Sequence, residues 1–225
     1  MTVTDASPLE TAPLVRPIGG CGDSAPPHFT LDAHPCGDGC EVLLPDQDEA
    51  QARALLRQGA CRVFVGGAAL ADGSLVERLA SDFGSERVGL YVPARRMAVS
   101  WCLDTVSNAD FKVVTPSLAA PAWEVLRADG RGSGTLAGWW IAAMMERGAS
   151  AVLLRVDMAD DADLNLCAEL QERLGERLWI GPLHARDSDF AAWVRWGKAA
   201  RLAVPQTLLE THPAFVVQRT GEQTT

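Results

Sequence analysis

No uninterrupted apolar run in this chain approaches the roughly 20 residues that a helix needs to cross a bilayer. The N-terminus also lacks the basic-then-apolar order of a secretory leader, so a cytoplasmic location and no membrane partner are expected. Basic charge is in short supply: 20 Lys and Arg stand against 29 Asp and Glu, for a net charge of -9. That balance offers no footprint for a phosphate backbone, which sets nucleic acid aside as a partner. An anionic substrate then needs a locally basic site. Metal patterns are sparse as well. Cys21, Cys36 and Cys40 share a Gly-, Pro- and Asp-rich stretch with His28 and His34, and thiolate and imidazole are ligands that zinc prefers. Cys-x3-Cys without a second Cys or His arm is a weak zinc pattern. The expectation is a loop with incidental thiols, no metal and no cofactor; zinc on His34, Cys36 and Cys40 is the alternative. In a reducing compartment the six cysteines are expected as thiols. Cys61 and Cys167 fall in apolar-periodic contexts that suit small core residues.

What the chain has is apolar matter for one full core, at 48% hydrophobic over 225 residues, a length common for a single α/β barrel. Residues 1–27 are rich in Pro, Gly, Ser and Thr and read as a largely irregular arm, with a short strand suggested at 13–19. Residues 28–217 read as the single barrel domain and 218–225 as a polar tail. From residue 40 onward, buried strands are expected at 40–44, 62–65, 87–92, 151–156, 177–180 and 201–204, with another at 29–33. Helices with apolar residues on one face are expected at 46–58, 74–83, 136–147, 163–174 and 190–196. Residues 97–120 read as an irregular insertion with short strands at 99–103 and 111–114. Strands written as unbroken apolar runs belong to parallel sheets covered on both faces, and the repeated strand, loop, helix order points to a barrel.

Two stretches carry a family resemblance. Gln58-Gly-Ala-Cys-Arg-Val-Phe-Val-Gly-Gly-Ala-Ala-Leu70, then Leu75-Val-Glu-Arg-Leu-Ala, Phe83-Gly84 and Arg87-Val88, resembles the fourth and fifth units of the histidine-biosynthesis barrels. These are the cyclase subunit of imidazole glycerol phosphate synthase and its sister, the phosphoribosylformimino-aminoimidazole carboxamide ribotide isomerase. Trp123-Glu-Val through Gly130-Arg131, Ser133-Gly134, Trp140 and Glu146-Arg-Gly-Ala149 to Val152-Leu-Leu154 looks like the cyclase. The resemblance runs from near Cys40 to near Leu209. It implies a TIM-type (β/α)8 barrel, lyase or isomerase chemistry in amino-acid biosynthesis on a small phosphorylated metabolite, and a glutaminase-like partner or a homodimer.

The departures from that pattern carry equal weight. The family sets one catalytic aspartate at the end of strand 1 and one at the end of strand 5. Here the strand 5 position holds Pro93, which has no side-chain proton to give or take. Asp32, in Phe29-Thr-Leu-Asp-Ala33, is the stand-in for the first, on strand 1 or strand 2. The family's glycine-rich loops bind phosphate through bare N–H groups. After strand 4 the loop Gly66, Gly67, Ala68 is intact; after strand 7 only Gly181 is kept, followed by Pro182. The strand 3 loop, Leu43-Leu44-Pro45-Asp46, has no glycine and an added acid, and Val204-Pro205-Gln206 follows strand 8. Fewer than forty residues precede Cys40, short for two βα units. At least one outer helix, helix 2 foremost and then helix 1, is expected to be missing or vestigial. The surface it would cover calls for self-association or a second subunit.

The candidate catalytic residues are Asp32, Asp160 and His184, and the candidate phosphate-binding residues are Gly66, Gly67, Ala68 and Gly181. Asp157, Asp160 and Asp161 follow strand 6. By the resemblance Asp160 matches an aspartate that positions substrate; by local chemistry the three acids open the next helix. His184 and Arg186 sit at the rim, where a histidine can titrate near neutrality or be idle. Arg95, Arg96 and Arg155 either meet an anion or pair with local acids. Trp139, Trp140, Trp193 and Trp196 read as helix-to-barrel packing. Three functional readings follow: a cyclase-like barrel with altered or lost activity, a non-catalytic binding or regulatory subunit, or a repurposed metal-using enzyme.

Overall fold

The structure is a computed structural model and describes residues 12–19, 28–31, 40–97, 101–107, 112–118, 120–184 and 188–211. In chain order, β1 (Leu14–Ile18), β2 (Phe29–Thr30), β3 (Glu41–Leu44), β4 (Arg62–Val65) and β5 (Val88–Arg96) lie side by side and parallel. An insertion follows, made of the antiparallel pair β6 (Trp101–Ser107) and β7 (Lys112–Leu118) and a second antiparallel pair, β8 (Trp123–Leu126) and β9 (Gly132–Leu136). The chain then returns to the barrel with β10 (Ala151–Arg155), β11 (Leu178–Gly181) and β12 (Arg201–Pro205). Closure is explicit in the register: Ala151 to Arg155 lie opposite Gly89 to Pro93, and Leu14 to Ile18 lie opposite Arg201 to Pro205. Eight parallel strands therefore form a closed α/β barrel of the TIM type.

Alternation explains why its strands read as unbroken apolar runs. Phe29, Leu43, Phe64, Leu153, Trp179 and Ala203 form one buried cluster, while their strand neighbours such as Val42, Val63, Leu90, Val152 and Leu202 pack with helix residues in another. Both faces of each strand are thus dry, as in a barrel whose interior is filled by side chains. Phe29 meets Phe64 and Trp179 edge-on at 5.4 and 5.3 Å between ring centroids. The end of the barrel where the strands begin is closed by charge: buried Glu41 pairs with Arg16 and Arg62, and the Arg16 guanidinium stacks 4.5 Å from the Trp179 ring centre.

The helices follow local rules. In α1 (Glu49–Arg57), Asp48 accepts the N–H of Gln51 at 2.9 Å, which starts the helix three residues later than the acidic stretch alone suggests. Gly59 at φ +98° ends it, a conformation that side chains avoid. The short α2 (Gly67–Ala71) precedes α3 (Ser74–Phe83), which buries Leu75, Val76 and Leu79. Downstream lie α4 (Ala137–Glu146), α5 (Asp161–Leu174), α6 (Phe190–Arg195) and α7 (Gln206–Thr211). Among the described residues no helix is long and apolar enough to cross a membrane.

Several expectations change. The strand suggested at 13–19 is β1, a full barrel member, so the barrel begins inside the segment that reads as an irregular arm. Phe29–Thr30 hydrogen-bonds to both β1 and β3, so the segment bearing Asp32 follows strand 2, not strand 1. Residues 19–28 and 31–40 connect the first three strands, ten residues each, and no helix lies there among the described residues. That is about the minimum length for a crossover containing a helix. Trp140 and Trp193 pack as expected, but Trp139 and Trp196 are 66% and 60% exposed. Cys167 is a core residue, whereas Cys61 is exposed.

Candidate functional site

In parallel barrels the loops after the strands gather at one end, where side chains from several strands can converge. Here that mouth holds a cavity of about 400 Å³, with Asp46 after β3, Gly67 after β4, Tyr91 and Pro93 on β5, Asp157 after β10 and His184 after β11 on its wall. A second hollow of about 600 Å³ shares Asp46, Gly67, Arg127 and Ala128 with it and continues to Ser133 and Thr135. The β8–β9 hairpin contributes residues to both. β5 runs beyond the barrel, and its residues Ala94 to Arg96 pair antiparallel with Val125 to Trp123. Pro93 sits at the changeover, the last residue opposite β10 and the one before the β8 pairing begins. A residue without an N–H is tolerated where ladder partners change.

His184 and Asp157 form the most organised polar pair on the cavity wall. His184 Nδ1 lies 2.6 Å from Asp157 Oδ2, and the His184 backbone N–H donates to Asp157 Oδ1 at 3.0 Å. Loops after two adjacent strands are thereby tied together. Arg155 reinforces the arrangement, because its Nε donates to the Pro182 carbonyl at 2.6 Å and anchors the turn just before His184.

Asp160 is placed differently. Its carboxylate caps α5, accepting the N–H groups of Ala162 and Asp163, and pairs with Arg96. The Asp163 N–H is the main cause that holds its carboxyl below the usual range, with Arg96 adding to it. Asp163, one turn on, is 2% exposed and accepts Arg96 Nε at 2.8 Å, Trp123 Nε1 at 2.8 Å and the Ala159 N–H at 3.0 Å. Together Arg96, Asp163 and Trp123 clip the hairpin to α5. Arg95 pairs with Glu124 at 2.9 Å. Arg95 and Arg96 therefore both meet local acids.

The glycines also have structural employment. Gly66 N–H donates to Leu44 O at 3.0 Å and Gly67 N–H to Pro45 O at 2.7 Å, so both are committed to the strand 3 loop. A Cβ on Gly66 would stand 2.7 Å from Pro45 O, and one on Gly67 would stand 2.7 Å from an Asp46 carboxylate oxygen. These glycines are needed for close backbone approach, and the adjoining acid makes the loop unfavourable to phosphate. Ala68 lies in α2 and lines the second hollow. Gly181 ends β11 opposite Arg155, and its extra Cβ would come within 3.3 Å of the Arg155 Cδ.

Asp32, His34, Cys36 and Arg186 lie outside the described residues. His28 and Cys40 are buried. Among the described residues, no group of three or more His, Cys, Asp and Glu could hold a metal ion. Of the expected catalytic residues, the structure brings His184 to the cavity and places Asp160 at a helix start. Sequence reasoning missed Tyr91, Arg127, Asp46 as a cavity wall and Asp157 as the partner of His184. Tyr91, two residues before Pro93 and hence on the same face of β5, carried a usable signal. No protein-family model matches the chain, and a search of curated proteins finds no match either.

Proposed function

We propose that the chain is a diverged histidine-biosynthesis-type barrel, cyclase-like in organisation, whose activity on a phosphoribosyl-type metabolite is altered or lost. The observation that carries this reading is Pro93 on the mouth cavity at the end of the fifth strand of a closed parallel barrel. A site that keeps the cavity and loses its acid cannot run the same proton transfers. The small metabolite binds at the mouth, in a cytoplasmic protein, with a glutaminase-like subunit or a second copy as partner.

The commitment of the Gly66 and Gly67 N–H groups favours a second reading, a non-catalytic binding or regulatory subunit for a glutaminase-like partner. Titration of the purified protein with the cyclase and isomerase substrates, followed by turnover with ammonia as nitrogen donor, separates the two. Weak binding at the mouth with altered or absent turnover supports the first. No metabolite binding, together with a stoichiometric complex with the glutaminase-like subunit, supports the second, and ordinary cyclase turnover contradicts both. Stoichiometric zinc in the same preparation would favour a repurposed metal enzyme using the His34, Cys36 and Cys40 stretch.

A further inference from the structure

We propose that His184 and Asp157 form a proton-transfer dyad at the barrel mouth. In it His184 removes a proton from the carbon beside a carbonyl group of a small anionic substrate, and Asp157 is the positioning residue. The proposal rests on the mouth cavity being the substrate site and adds to that reading the group that moves the proton.

Both oxygens of Asp157 are committed to one residue: Oδ2 to the ring at Nδ1 and Oδ1 to the backbone N–H. An ionised carboxylate can only accept, so in the neutral imidazole the proton sits on Nδ1 and Nε2 keeps its lone pair. The ring is 74% exposed and lines the cavity, which leaves Nε2 accessible to a substrate. The loop that carries it is held by Arg155 through the Pro182 carbonyl. This is the geometry of a base whose tautomer and orientation are fixed by a third group.

The cavity wall narrows the substrate class. Acyl transfer needs donors aimed at a localised oxyanion, and the Gly66 and Gly67 N–H groups bordering the mouth already donate to Leu44 and Pro45. Acyl transfer through a side chain also needs a hydroxyl or thiol for the base to activate, and among the described residues the cavity wall carries no Ser, Thr or Cys, whereas a carbon acid needs only the base and a donor at its carbonyl oxygen. The Tyr91 phenol on the same wall supplies one hydrogen-bond donor for the carbonyl oxygen. Arg127 borders both hollows, is exposed and makes no ion pair among the described residues, so it is the cation available to an anionic group. In the step itself, the Nε2 lone pair takes the proton and the C–H electron pair becomes the C=C bond of an enolate. The carbonyl π pair moves onto oxygen, facing Tyr91. The imidazolium is balanced by Asp157, and reversal returns a proton to carbon. In D2O the returned particle is a deuteron.

The test uses dihydroxyacetone phosphate and pyruvate as probes in D2O, with exchange read by proton NMR and the site of binding by amide shifts in labelled protein. Wild type should exchange at least one bound probe faster than buffer; the phosphate probe alone would assign a phosphoryl anion and pyruvate alone a carboxylate. His184→Gln should lower the exchange by about 100-fold or more, the scale of general base catalysis. Asp157→Asn should lower it by a smaller factor and shift neutral His184 from Nδ1–H to a tautomer mixture in its nitrogen-15 shifts, which a merely structural role would not do. A probe bound at the mouth without exchange, exchange that survives in His184→Gln, or an Nε2–H tautomer in wild type overturns the dyad while leaving the mouth as the binding site. If neither probe shifts the mouth residues, the substrate-site reading itself fails, and the dyad with it.

Discussion

Replacing Asp163 by alanine should cost the protein a measurable part of its stability, because one buried carboxylate satisfies three donors from three parts of the fold. Its partners are Arg96 Nε, Trp123 Nε1 and the Ala159 N–H, at 2.8, 2.8 and 3.0 Å. Truncation leaves the indole N–H of Trp123, a residue only 3% exposed, without an acceptor. An orphaned buried donor costs about 1–3 kcal/mol. Arg96 contributes less, since its side chain is 29% exposed and keeps Asp160 as partner. The cost is about 2 kcal/mol and falls on the indole, because Ala159 is exposed and water can take its N–H. In a domain of this size each kcal/mol moves the melting temperature by about 2–4 °C, so Asp163→Ala should melt about 4–8 °C below wild type. Asp163→Asn retains an acceptor for the indole and should fall between the two. Differential scanning calorimetry of the three proteins provides the check. A melting point for Asp163→Ala within about 2 °C of wild type would refute the claim that this carboxylate clips the hairpin to α5.

The Ser74 hydroxyl, Arg78 and the Ser74 N–H hold the Asp72 carboxyl down at about 2. With its folded value depressed, its contribution to stability is present above the ordinary 3.8 and is lost as pH falls toward about 2. A carbon-13 NMR titration with a midpoint near 3.8 would contradict this. Burial pushes the Cys167 thiol up to about 12, so iodoacetamide at neutral pH should label exposed Cys61 and spare Cys167 until the protein unfolds, as peptide mass mapping can show. Restoring an acid with Pro93→Asp should leave cyclase turnover with ammonia far below that of an ordinary family member. General acid/base help of about 100- to 10,000-fold requires a substrate already held in a reactive pose, and the strand 3 loop still presents Asp46 and consumes two glycine N–H groups.

The barrel was legible from residue 40 onward because its strands are buried on both faces and its helices start at acids such as Asp48 and Asp160, whose side chains cap them. β2 is only two residues long and β1 carries Pro17, so the strands suggested at 29–33 and 13–19 are too short or interrupted to be numbered from sequence as the second and first strands of the barrel. The five-residue α2 is likewise below the length at which a 3.6-residue repeat shows. Gly66-Gly67 illustrates a deeper limit. The same letters serve a loop that offers its N–H groups to a phosphate and one that spends them on the neighbouring loop, and only the approach of Leu44 and Pro45 decides. His184 could be placed at the rim from its position after the seventh strand. Its pairing with Asp157, 27 residues away, depends on how two loops meet once the barrel closes. Asp163 reads as one more acid on a polar helix, and its burial appears only when Trp123 and Arg96 arrive from the hairpin and β5.

The central claim, that the barrel mouth is where this protein engages a small anionic metabolite, is tested most directly by amide shift mapping of the labelled protein during titration with ribose 5-phosphate. The account predicts that the largest changes fall on Asp46, Tyr91, Arg127, Asp157 and His184, which share the mouth cavity. Changes concentrated instead on a separate groove lined by Leu136, Trp139 and Leu170, or none at the mouth at saturating ligand, would contradict it.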